Sequence, residues 1–160
     1  RISGGDVSAV DGIGIGVAQT VIIECGTDLS QFPKEGNYCS WLGLAPKHEI
    51  SGGKVLKNKT LKTKNRAGQA FRMAAQSVKN SDCVFGMMFR RFRAHMDNRQ
   101  ATVATAHAIA RVVYRMLKYK VEYESIDVTE YEKKYEEQQV KYVTKKAAKL
   151  GFQLVPIVPA

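Results

Sequence analysis

The residues whose types and spacing suit chemistry best are Ser51, Gly52, Gly53 and Lys54. A serine hydroxyl attacks only when its alkoxide is stabilised, and two following glycines remove side-chain bulk so that a phosphate can come close. The neighbourhood supplies charge: between 47 and 72 there are eight cations, Lys47, Lys54, Lys57, Lys59, Lys62, Lys64, Arg66 and Arg72, against one acid, Glu49. Such a field would stabilise both an alkoxide and the charge developing on a phosphoryl group. By spacing alone the reading stays open. SGGK lacks the full GxxxxGK[ST] of a phosphate-binding loop, and most serines beside glycines are turn residues.

A second candidate is the run Gly12-Ile13-Gly14-Ile15-Gly16. A dinucleotide fingerprint needs GxGxxG directly after a strand, and neither the spacing nor the preceding segment fits. Two readings remain. In one, a helix-hairpin-helix-like element uses Gly12, Gly14 and Gly16 to bring backbone N–H groups at a helix start against a DNA phosphate. In the other, the glycines only make a tight turn between two core helices. His48, His95 and His107 are too scattered to assemble a triad. Cys25, Cys39 and Cys83 show no CxxC and no nearby histidine pair, so we expect buried, reduced thiols and no metal site. Arg90, Arg91 and Arg93 form either a DNA-facing stripe or a solvated face.

These residues need elements to position them. Val17, Ala18, Val21, Ile22 and Cys25 recur at helical spacing up to Gly26, so a turn feeds a helix there. TDLSQFPKEG reads as a linker, followed by a short helix with Tyr38, Trp41 and Leu42 on one face. The basic stretch from Lys47 to Arg66 has little apolar periodicity and reads as a loop or a mobile hairpin. From about Lys64 the spacing predicts a helix with Ala67, Ala70, Phe71, Ala74, Ala75 and Val78 on one face. Phe85, Met88, Phe89 and Phe92 mark a second, and Val103, Ala106, Ala110, Val113 and Leu117 the seam of a third. The stretch 128–150 predicts a long, partly exposed helix with Tyr131, Tyr135 and Tyr142, ended near Gly151. No strand set is large enough to build a sheet, so the expected class is all-α: a helical domain over 1–120 and a helical tail over 121–160.

Charge narrows the partners. The chain of 160 residues carries 25 Lys and Arg against 15 Asp and Glu, and 19 of those cations fall within 1–120 with only 8 acids. A basic field of this kind attracts a polyanion, and nucleic acid is the commonest one inside a cell. No run approaches the roughly eighteen apolar residues of a bilayer-spanning helix, and the first residues lack a secretory layout. We therefore expect a cytoplasmic protein with no membrane partner.

The segments DGIGIGVAQTVI, LSQFP, YCSWLGLAPKHEISGGKV, NRAGQAFRMAAQSV and HAIARVVYRMLKYKVEY, in this order, resemble the C-terminal transposase domain of the insertion-sequence-110 family, closest to the branch carrying ISGGK and NRAxxAxRxAAQS. The resemblance covers nearly the whole chain. It implies a bacterial DNA transposase with a two-part active site: a serine in this domain, matching Ser51, and an N-terminal RNase H-like domain with a DEDD carboxylate set that holds Mg2+. That domain is not in these residues, so the chain is expected to be a fragment without cofactor or cleavage activity of its own. The resemblance further implies a structured bridge RNA as guide and a homo-oligomer. Ser77 in AAQS is the next serine to weigh, although it falls in a helical pattern among packing residues. A non-catalytic helical module that only positions DNA or RNA is the rival reading, and a decayed mobile-element remnant is a third.

Overall fold

A computed structural model describes residues 5–52, 54–60 and 65–157, with backbone alone at 47–50 and 54–59. After a single 3-10 turn at Val7–Ala9 come α1 (Ile15–Cys25), α2 (Glu35–Trp41), β1 (Pro46–Ser51), β2 (Lys54–Thr60), α3 (Arg66–Ser77), α4 (Val84–Arg93), α5 (Asn98–Tyr119) and α6 (Val128–Lys149). The expected helical class holds. Of the two readings of the basic stretch, loop or hairpin, the second fits: Pro46 to Thr60 pairs as a two-stranded antiparallel hairpin, β1 beside β2. A lone hairpin needs few apolar residues, so hydrophobic periodicity gives little warning of it.

Contacts divide the chain into two units, Arg1–Ser125 and Ile126–Ala160. The sequence placed the boundary at 120; the segment after α5 keeps to the first unit through Tyr123, whose hydroxyl donates to the Asp11 carboxylate at 3.0 Å. All buried residues among those described lie between Val7 and Leu117. In the first unit α3 packs between α1 and α5, while α2 and α4 rest on α5. Alanines make this possible: Ala67, Ala70, Ala74 and Ala75 of α3 and Ala101, Ala106 and Ala110 of α5 are buried, and their small side chains let the helix axes approach. Larger groups fill the space beside them. Tyr38 is fully buried, with its ring centroid 5.3 Å from Phe32, 5.6 Å from Tyr114 and 6.4 Å from Phe71.

Helix starts follow local chemistry. Asn65, Asp97 and Asp127 accept first-turn amide hydrogen bonds from Gly68, Gln100 and Thr129, and the Cys83 thiol takes the Gly86 amide at 3.4 Å. In the second unit, α6 begins with Asp127 and Glu130, ends with Lys146 and Lys149, and has no buried residue. That charge order suits the helix dipole, and a Glu130–Lys134 pair at 2.6 Å adds to it.

Candidate nucleic-acid interface

The hairpin brings the serine to its tip. Ser51 ends β1 and is the ladder partner of Lys54, with Gly52 at the turn between them. Gly52 has φ +55, the left-handed conformation that two-residue hairpin turns demand, and a Cβ there would meet open space. Ser51 and Gly52 are exposed. The register runs Pro46 with Thr60, Lys47 with Lys59, His48 with Asn58 and Glu49 with Lys57, then shifts so that Ile50 pairs with Val55, leaving Leu56 as the extra residue of a bulge. Lys54, Lys57 and Lys59 thus all lie on β2. Lys62 and Lys64 fall outside the described residues.

The base of the hairpin is clamped by the first turns of α3. Asn65 caps α3 with its side-chain oxygen and donates its amide N–H to the Trp41 carbonyl at 3.3 Å. Gly68 lies so close to the segment before β1 that a Cβ there would come 2.1 Å from the Leu42 carbonyl oxygen. Arg72, half-buried, donates to the Gly43 carbonyl at 2.8 Å, and burial pushes its guanidinium pKa below the usual value. Sequence reading placed Arg72 among the phosphate contacts; in the structure one of its nitrogens serves the chain leading into β1. Arg66 differs. It is 81% exposed and sits 3.6 Å from Glu24 of α1, a loose surface pair that leaves it within reach of an outside anion.

The glycine run divides in the same way. Gly12 has φ +86, and a Cβ on it would sit 2.5 Å from Val78 and 2.8 Å from the Ala74 carbonyl, so this glycine is required by close packing against the end of α3. Gly14 and Gly16 face open space. Gly14 is the N-cap of α1 and supplies no side-chain acceptor, so the first amides of α1 lack a side-chain cap. A concavity of about 540 Å³ adjoins them, lined by Asp11, Gly12, Gly14, Met73 and Ser77 among others. The Ser77 hydroxyl lies 2.8 Å from the Ala74 carbonyl and 3.3 Å from that of Gly12, where it ties the glycine turn to α3. Asn65, Gly68 and Ser77 therefore explain much of NRAGQAFRMAAQS as scaffold.

Other candidates are spoken for locally. Arg90 donates to the Lys79 and Ser81 carbonyls and pairs with Asp82 at 3.8 Å; Arg93 donates to the Met96 carbonyl. His95 is exposed beside Phe92, and burial lowers the half-buried His107. Cys25 and Cys39 are buried free thiols, and Cys83 is a half-buried one. Among the described residues no three His, Cys, Asp or Glu side chains converge on a common point, and no helix is long and apolar enough to cross a membrane.

The first unit is thus a helical scaffold that holds the root of a lysine-rich hairpin and carries a serine at its tip. The model of the Transposase IS116/IS110/IS902 family matches residues 6–85, half of the chain, and the chain belongs to that family. The matched span runs from the glycine turn through the hairpin to the start of α4. Membership makes this an insertion-sequence transposase chain, whose substrate class is DNA. No curated protein and no solved structure matches it.

Proposed function

We propose that the chain is the serine-bearing part of a DNA transposase in which Ser51 attacks a DNA phosphodiester, in concert with a DEDD nuclease-type domain supplied by the rest of the protein. The observation that carries this reading is the position of Ser51: exposed, next to a positive-φ glycine, at the tip of a hairpin whose second strand holds Lys54, Lys57 and Lys59. In the step, the serine Oγ forms a bond to phosphorus as the bond to a deoxyribose oxygen breaks; the hydroxyl proton passes to a base, and the leaving oxygen takes one up. Mg2+ bound to carboxylates of the other domain would polarise the phosphoryl oxygens. Lys54, Lys57, Lys59, Lys62, Lys64 and Arg66 neutralise phosphates, and the open amides of Gly16 and its neighbours at α1, in a helix-hairpin-helix-like element, hold a further one. The register adds support for an anionic partner, since it sets Lys47 opposite Lys59 on the two strands.

In this proposal a structured bridge RNA guides the reaction and the protein works as a homo-oligomer. The test is Ser51→Ala in the full-length, RNA-loaded protein. Recombination should fall by roughly 10³-fold or more while nucleic-acid affinity stays near that of the parent. Trapping on a nicked suicide substrate should leave a phosphoserine adduct at 51. Full activity after the substitution would favour the rival, a module that only positions the duplex, and an adduct at Ser77 would move the chemistry to the glycine turn.

A further inference from the structure

A second concave surface lies away from the hairpin, and neither the serine chemistry nor the glycine turn uses it. Pro33, Lys34 and Glu35 at the start of α2 meet Arg115, Tyr119 and Val121 at the end of α5 around a groove of about 680 Å³, with buried Tyr114 beneath. Its frame is held by a set of cross-links. The Tyr114 hydroxyl donates to the Phe32 carbonyl at 2.8 Å, Lys118 reaches the Leu29 and Phe32 carbonyls at 3.1 and 3.2 Å, and Lys120 reaches that of Thr27 at 2.7 Å. Such a frame keeps its shape before anything binds. Within it the Tyr119 side chain stands out, 65% exposed at the last residue of α5, beside the half-exposed Val121.

The electrostatics select the occupant. Two cations, Lys34 and Arg115, line the groove beside a single carboxylate, Glu35. Glu35 is already taken by Arg111 at 2.7 Å, whereas Arg115 is 3.9 Å away, the more weakly held of the two arginines. Arg115 can therefore turn to an outside anion at little loss. An aromatic side chain on an apolar floor, with cations at its rim, suits a flat ring joined to a phosphate.

We infer that this groove takes an unpaired nucleotide, its base stacked on Tyr119 and its phosphate met by Arg115 and Lys34. Only a base out of the duplex stack offers its face to a side chain, so the site reads single strands. The inference is independent of Ser51. Its source, displaced DNA strand or RNA loop, is distinguished by running the assay with both sugars.

The experiment uses short oligouridine and oligodeoxyuridine carrying 5-iodouracil, photocrosslinked to this chain and mapped by mass spectrometry, with affinities by fluorescence anisotropy. We expect the adduct on Tyr119. Tyr119→Ala should weaken single-strand binding by roughly 5- to 100-fold, Tyr119→Phe should stay within about twofold, and duplex binding should move in neither variant. Preference for either sugar, or none, is compatible with the inference and names the source. Single-strand affinity unchanged in Tyr119→Ala, loss for duplex and single strand alike, or adducts only on the hairpin would overturn it. Because Tyr119 is mostly exposed, the variants are expected to melt as the parent does.

Discussion

The fully buried Cys39 shows how one side chain carries the state of the core into a solution measurement. Burial, helped by the nearby Glu35 charge and opposed by Arg111, pushes its thiol up to about 11 from the ordinary 9.0. The folded chain thus keeps a proton that the unfolded chain releases at lower pH. Stability from this group is complete below pH 9 and declines as pH rises towards 11, by about 1–2 kcal/mol. Denaturant melts of the parent and of Cys39→Ala between pH 8 and 11 should differ in slope, the parent losing stability faster; parallel curves would contradict the assignment. The expectation of buried reduced thiols at 25 and 39 needed only residue type and context. That Cys83 caps α4 was not legible, because thiols rarely take the place of Ser or Asp at a helix start.

Between elements, the controlling contact is α3 against the chain entering the hairpin. A methyl group at Gly68 would collide with the Leu42 carbonyl rather than with a yielding side chain, so Gly68→Ala should cost about 2–4 kcal/mol. Amide exchange should accelerate at Leu44 and Ala45, whose N–H groups bond the Cys39 carbonyl at 2.9 and 3.3 Å. Unchanged melting and exchange would mean that α3 and the Leu42 segment are not seated as described. Helical periodicity found α3 and α5 readily because Phe71, Ala74, Val113 and Leu117 fall at three- and four-residue steps. It could not show that Asn65, Gly68 and Arg72 on the same helix hold the root of the hairpin, since such tasks depend on carbonyls far along the chain.

At the scale of the molecule, burial among the described residues is confined to the first unit, and α6 contributes no buried residue. A helix with no buried face gains little from tertiary packing. A chain ended at Ser125 should therefore melt within about 5 °C of the full chain, while the circular dichroism per molecule loses the α6 contribution. A fall in Tm of about 10 °C or more would show that α6 supports the core. The basic region over 1–120 and the near-neutral tail were separable in the sequence by counting charges, and the long tail helix by its Tyr spacing. The groove around Tyr119 was not foreseeable, because it needs the segment before α2 tied to the end of α5 by lysines that reach backbone carbonyls.

The hairpin also sets an arithmetic for change. A strand of six residues extends roughly 20 Å, so the serine stands on a lever longer than the major groove is deep, and slender enough to enter one. Successive strand positions face opposite ways, and the bulge after Glu49 has already spent one reversal. Lengthening both strands by an even number of residues would carry the hydroxyl outward with its aim kept. An odd number would turn it to the other face of the ribbon. Relatives that differ in arm length should therefore differ by pairs.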